Sequence, residues 1–568
     1  MTHSRIIAGA SSLALAAALA AAPTSAARAD ADDVFQPGNL IVSRSVFPAN
    51  FNAVTAGVTQ LPPHCVAPNC VTAVAGSAYP YVFNNAPIDG SFGLTSQIFL
   101  DEFSHQGQRL RTLEVPNSAE SGISPGADQM VGSFSSKSEL ALNLSADGRY
   151  ITFNGYLTSV GALDVYNSNT PGVVDPTNAV PGAVYRLVAT MDAHGHFHFT
   201  KTNAYSGNNG RASIWENANG YDELLMAGNA GNGSNPQPDG VLLGAGAQIE
   251  TPTSRPLAEQ PDPGLPTPVG SFNVTELGDK AEKKAGKDNN FRGLTVFNNV
   301  VYFTKGSGGK GVNSVYFIDT SGLDTNGKPK ACPNGVGVPS PSAGLPYRPM
   351  NFQFAALPTL GLYPYNMCVL AGFPTAPGKT TTAFPFGVYF ANATTMYVAD
   401  EGDGSNAYAN GVYRDAAASK TAGLQKWMFD AAKRQWKLAY TLQAGLGLGK
   451  PYKVAKYPTG ENTASNLPWA PATDGLRNLT GRVNQNGMAT IFATTSTVSG
   501  SGDQGADPNR LVVIKDQVAA MSPPRGEHFV ILRTARSGEA LRGVSYTPGT
   551  GARGVDRDWA MGSAGWQD

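Results

Sequence analysis

Residues 476–494 read LRNLTGRVNQNGMATIFAT, and their pattern decides the fold. Leu476 to Thr480 is a short strand, Asn484-Gln485-Asn486-Gly487 has the chemistry of a tight turn, and Met488 to Thr494 is a second strand. Arg510 to Lys515 and Phe529 to Thr534 follow, completing a group of four. Similar groups recur upstream. One runs Phe384 to Phe390, Thr395 to Asp400, Leu424 to Asp430 and Trp436 to Leu442. Another uses Arg292 to Phe297, Val300 to Thr304 and Ser314 to Asp319, with Phe352 to Pro358 expected as its fourth strand. Two more cover Glu139 to Thr202 and Arg211 to Leu277.

The chain ends complete the pattern. Leu541 to Pro548 reads as a first strand with no partners after it. Asn39 to Arg44, Ile98 to Phe103 and Arg109 to Val115 read as second, third and fourth strands with no first. Joining them closes a ring and removes two open sheet edges. The expectation is an all-β protein, a β-propeller of six four-stranded blades (seven if one hides in the long loops) closed by pairing of its N- and C-terminal strands. A single propeller domain then spans residues 30–568.

Composition agrees. The chain has 65 Gly and 40 Pro in 568 residues and only 15% charged side chains, which opposes a helical protein. The formal net charge is −1, so no global field points to nucleic acid, and any recognition by charge has to be local. At the N-terminus, Arg5, the apolar run Ile6 to Ala22 and Ala27-Arg28-Ala29 have the build of a secretory signal peptide, residues 1–29, with cleavage expected before Asp30. No later segment is apolar enough to span a bilayer, so a secreted or periplasmic monomer is expected. Four cysteines suit an oxidising compartment. Of the three connectivities, Cys65–Cys70 with Cys332–Cys368 is the most local; a zinc site at His64-Cys65…Cys70 is the weaker reading.

Phe99-Leu100-Asp101-Glu102-Phe103, Thr395-Met396-Tyr397-Val398-Ala399-Asp400, Gly423-Leu424-Gln425-Lys426-Trp427 and Leu541-Arg542-Gly543-Val544 resemble motifs of a family of large exported bacterial β-propeller proteins of unassigned function. The resemblance implies the fold and export, and almost nothing about chemistry.

Two signals point to one face. The turns between first and second strands are tight (Asp147-Gly148, Asn298-Asn299, Asn392-Ala393), whereas second-to-third loops such as Asp400 to Thr421 and Ser496 to Asn509 are long and polar. Aligning the first strands also places Arg211, Arg292, Arg477 and Arg542 at one repeat position, with Asn208, Asn289, Asp474 and Glu539 three residues earlier. The remaining two groups present Lys137-Ser138-Glu139 and Phe386 instead. First strands line the channel of a propeller, so these guanidiniums converge on its long-loop mouth and suit a carboxylate or phosphate. The competing account makes each arginine a clip, bound to its own Asp or Glu three residues back or to a neighbouring blade.

The functional expectation is an anionic ligand, a uronate- or phosphate-bearing glycan or partner. The alternative is a carbohydrate-active enzyme, a polysaccharide lyase or a hydrolase, at the same face. No acid–base pair can be named for it. His194, His196 and His198 read as a solvated strand face, and Gly122-Ile123-Ser124-Pro125-Gly126 lacks the strand and helix of a nucleophile elbow. No metal or other cofactor is expected, although Asp400-Glu401-Gly402-Asp403-Gly404 and Asp319 to Gly327 leave calcium open.

Overall fold

The computed structural model describes residues 35–550 apart from short gaps and the stretches 81–92, 119–128, 230–246, 251–270, 273–289, 319–334 and 340–366. The signal segment, Asn289, Cys332, the Gly122–Gly126 motif and Asp319 to Gly327 lie outside the described residues.

The protein is all-β, in a propeller arrangement. One sheet is assembled from both chain ends, in the order Glu539–Tyr546, Leu40–Val46, Thr95–Phe103, Arg109–Glu114. Leu40 pairs with Tyr546 and Val46 with Glu539, so the seam is antiparallel along its whole length. Five further large sheets are each cut from one continuous stretch. The second runs Asn143–Leu144, Ile151–Tyr156, Arg186–Met191, Phe197–Thr202, and the third Gly210–Glu216, Glu223–Gly228, Ala247–Glu250, Ser271–Phe272. In the fourth, Phe291–Phe297, Val300–Lys305 and Ser314–Ile318 are followed by Met367–Leu370, with Val336–Gly337 added in parallel at its edge. The fifth holds Pro385–Asn392, Thr395–Asp400, Gly423–Asp430 and Gln435–Leu442; the sixth, Ala472–Val483, Met488–Val498, Arg510–Gln517 and Val530–Thr534.

One strand assignment is corrected. The partner of Ser314–Ile318 is Met367–Leu370 and not Phe352–Pro358, which lies outside the described residues. Both runs are short and apolar, and pattern alone does not say which returns to the sheet.

The innermost strands pack side by side from Glu539–Tyr546 through the second to the sixth sheet and back to the seam. Between neighbouring sheets lies apolar core: Ile98 and Leu100 meet Ile151, Phe153 and Leu187, and Leu424 and Leu442 meet Ile491 and Ile514. A hydroxyl on each of four second strands bridges to the next innermost strand. Ser43, Thr152, Thr304 and Thr494 donate to the carbonyls of Leu140, Ser213, Phe386 and Arg542. Two of these hydroxyls also accept an N–H from their own sheet, Ser43 from Gly543 at 2.7 Å and Thr304 from Gly293 at 2.8 Å.

Cys65 and Cys70 form a disulfide, which overturns the zinc reading. Cys368 is also disulfide-bonded. The one α-helix among the described residues is Arg414–Ala418, in the long loop after Asp400, and no helix there is long and apolar enough to cross a membrane.

Candidate functional site

The innermost strands carry β-bulges at the aligned arginine position. Arg292-Gly293 faces the single residue Thr304, Arg477-Asn478 faces Thr494, and Arg542-Gly543 faces Ser43. Arg211 is an extra residue between the pairs Gly210–Gly228 and Ala212–Ala227. A bulge re-aims the side chain it carries. At two of the bulges the following residue has to be glycine: a Cβ on Gly293 would stand 2.1 Å from the carbonyl oxygen of Phe386, and one on Gly543 2.3 Å from that of Leu140.

The four arginines converge. Arg211 feels the charge of Arg292, Arg292 that of Arg477, and Arg542 that of Arg477. Lys137, from the group that offers no arginine, joins them beside Arg292 and Arg477. Phe386 also takes part, its ring 5.8 Å from the Arg292 guanidinium. The arginines are buried, 3–5% exposed, whereas the Lys137 side chain is 29% exposed.

Their partners settle the competing account of the arginines in detail. Arg477 Nε meets Glu401 Oε2 at 3.2 Å, and both its Nη atoms donate to the Gln504 carbonyl at 3.1 Å. Glu401 follows the second strand of the preceding sheet, so this pair is a sheet-to-sheet clip. Arg211 likewise reaches Asn290 and the Phe291 carbonyl in the next sheet, and Arg542 the carbonyl of Phe134. The expected pairing three residues back fails for two arginines. Asp474 accepts from the Gly404 N–H at 2.8 Å, and Glu539 pairs with Arg44 at 3.2 Å and Arg533 at 3.7 Å. Among the described residues it holds for Arg211, whose Nη2 lies 3.4 Å from Asn208 Oδ1, and the position before Arg292, Asn289, lies outside them.

Carboxylates stand among these cations: Glu401 acts on Lys137, Arg211, Arg292 and Arg477, Glu139 on Arg211 and Arg542, and Asp503 on Arg542. Lys137 Nζ lies 3.4 Å from Glu401 and donates to Gln504 Oε1 at 2.9 Å. Against burial, which would raise it, Lys137, Arg292 and Arg477 hold the Glu401 carboxyl down to about 2. Burial brings Lys137 down to about 8 and Arg542 to about 10. Two guanidinium N–H groups, Nε of Arg292 and Nε of Arg542, are buried with no acceptor among the described residues. Alongside stand two carboxyls that burial lifts to about 7, Asp400 and Asp474. Sequence reasoning missed Glu401 as the common partner, although it lies in the acidic turn singled out for calcium. Among the described residues no group of three or more potential ligands is placed to hold a metal. His196 binds Asp192 at 3.1 Å on the short-turn side.

Arg477 therefore lies beneath the loops 400–421 and 496–509, and all four arginines are buried and not at an open mouth. A cavity of about 1010 Å³ is in the other half of the channel, among the tight turns.

No family model matches the chain, and no curated protein matches it. Among solved structures it is similar to an apocarotenoid oxygenase mutant of Synechocystis, at 8% identity and a TM-score of 0.19, over 78% of this chain and 60% of that one. A chimera of that oxygenase with RPE65 gives 8% identity and 0.20 over 81% and 60%. A Saccharomyces cerevisiae complex of Dbp5 with Nup159 and Gle1 gives 9% and 0.21 over 67% and 90%.

Proposed function

We propose that this protein is an exported propeller that binds an anion at the long-loop end of its channel, and that the ligand is a uronate- or phosphate-bearing glycan. We count the ring as six blades, with the seam sheet as the sixth. The observation that carries the functional reading is the gathering of Lys137 and four buried arginines, in which Nε of Arg292 and Nε of Arg542 find no acceptor among the described residues. A carboxylate or phosphate supplies the missing acceptors. Lys137 is the group a ligand meets first, being the most exposed of the five cations.

A second reading, a lyase at the same place, draws support from Asp474. Its carboxyl, lifted to about 7, is poised for proton transfer beside cations that would stabilise a developing negative charge.

The test is titration of the full chain with oligogalacturonate, inorganic phosphate and a neutral oligosaccharide at two salt concentrations. Acidic probes should bind, more weakly as salt rises. Lys137→Gln and Arg292→Gln should each weaken binding about tenfold or more while thermal unfolding stays cooperative. Binding of the neutral probe alone, indifferent to salt, overturns the proposal. Under the second reading, Asp474→Asn abolishes release of unsaturated uronate and leaves binding intact.

A further inference from the structure

An ion pair that takes no part in the arginine site joins the fifth sheet to the sixth. Lys426 belongs to Gly423–Asp430 and Asp516 to Arg510–Gln517, the third strand of each sheet. Lys426 Nζ stands 2.9 Å from Asp516 Oδ2, and both side chains are 0% exposed. Nζ also donates to the hydroxyl of Tyr440 at 2.9 Å and to the carbonyl of Gln517 at 2.6 Å. Tyr440 in turn donates to Asp516 Oδ1 at 2.6 Å, and Tyr397 donates to Oδ2. Both tyrosines belong to the apolar core that the two sheets share, with Leu424, Ile514 and Phe529.

A second acid stands beside the pair. Glu527 comes from the segment between Arg510–Gln517 and Val530–Thr534, and it is half-buried. It is hydrogen-bonded to Asp516, and burial together with that bond pushes its carboxyl up to about 8. Its Oε1 accepts the Gln517 N–H at 3.4 Å, while Oε2 is buried and meets no donor among the described residues. That suits an oxygen which carries its own proton and donates it to Asp516. Two acids and one amine in a dry place are costly as a merely structural pair.

We infer that Lys426 and Asp516 join through an isopeptide bond that the protein forms by itself, tying the fifth sheet covalently to the sixth. The three hydrogens of Nζ have three acceptors, so giving up the one on Asp516 aims the nitrogen lone pair at that carboxyl. Away from water an ion pair loses the solvation that favours it over amine and acid, and the free amine is the nucleophile. Nζ attacks Cγ, and the tyrosine O–H groups stabilise the charge that develops on the carboxyl oxygens. Glu527 gives its proton to the departing oxygen and recovers one from the nitrogen. A C–N bond forms and one C–O bond breaks, so the ammonium and the carboxylate become an amide and one water. No oxidant, reductant or other co-reactant enters, and no residue of the arginine cluster takes part.

The test is peptide mapping by mass spectrometry of the full chain, folded first, then unfolded in guanidinium, reduced and digested with trypsin. The peptide that holds Lys426 should be joined to the one that holds Asp516, lighter than their sum by the mass of one water. Trypsin should also fail to cut after Lys426. On a denaturing gel the linked chain, held in a closed loop, should run faster than Lys426→Arg, which keeps the charge and cannot form the amide. Glu527→Gln should lose the link while its thermal unfolding stays cooperative. The wild type alone decides the matter if that variant does not fold. Separate wild-type peptides at their full masses, after prolonged incubation of the folded protein, overturn the inference and leave an ordinary ion pair. A folded Glu527→Gln protein that links as completely as the wild type overturns the mechanism.

Discussion

At the scale of single residues, one carboxylate ties together two of the arginines and Lys137. Glu401 touches Arg477 and Lys137 and feels Arg292, so three cations from different parts of the ring are tied to a single side chain. Removing the charge at Glu401 strands them in a buried place. Breaking a buried pair on one side costs about 3–5 kcal/mol, and Glu401→Gln should lower the unfolding free energy by an amount in that range, measured by urea denaturation. A change below about 1 kcal/mol would mean that loop carbonyls such as that of Gln504 already satisfy Arg477. The repeated arginines were legible because they recur at one offset from a strand start. Glu401 and Gln504 were not, because they come from loops of irregular length whose landing places depend on the folded ring.

At the scale of the element, the bulge is the unit that makes the site. Two residues facing one on the partner strand turn the arginine inward, and at Arg292 and Arg542 they leave the glycine that follows no room for a side chain. Gly293 shows this most severely, since its missing Cβ would overlap the Phe386 carbonyl. Gly293→Ala should therefore cost about 1–3 kcal/mol, as overpacking does. The same substitution at Gly411, where a Cβ meets nothing within 4 Å but φ is +82°, costs only backbone strain. Comparing the two melting temperatures checks this, with Gly293→Ala expected to fall further. Strand order was largely readable because turns such as Asn484–Gly487 and Asp147-Gly148 punctuate alternating apolar residues. It failed at Met367–Leu370, where a long connection precedes the strand and nothing local marks its partner. The cavity among the tight turns left no signature either, because its lining is made of ordinary strand residues whose common direction exists only in the closed ring.

At the scale of the whole molecule, buried carboxyls set the response to pH. Asp400, Asp474 and Glu216 have folded values raised to about 7, so each favours its protonated form in the fold. Their contribution to stability is full below their unfolded values, near 4, and is lost as pH rises through 7. Glu401, held down to about 2, acts oppositely: its contribution is full above about 4.5 and is lost as pH falls toward 2. The melting temperature should thus peak on the acid side of neutrality and decline from pH 5 to pH 8. Asp474→Asn should flatten that decline. A calorimetric series that rises steadily from pH 5 to pH 8 would contradict it.

The seam has a mechanical consequence. Because Leu40 pairs with Tyr546, both chain ends leave the ring at the same end of the same strand pair. Tension applied between those ends loads one backbone hydrogen bond at a time and peels the terminal strand away like a zip. Tension between the Leu40 end and Glu539, at the opposite end of the pair, loads every bond of the seam together. The ring therefore resists being stretched across its body far better than being opened by its own tails.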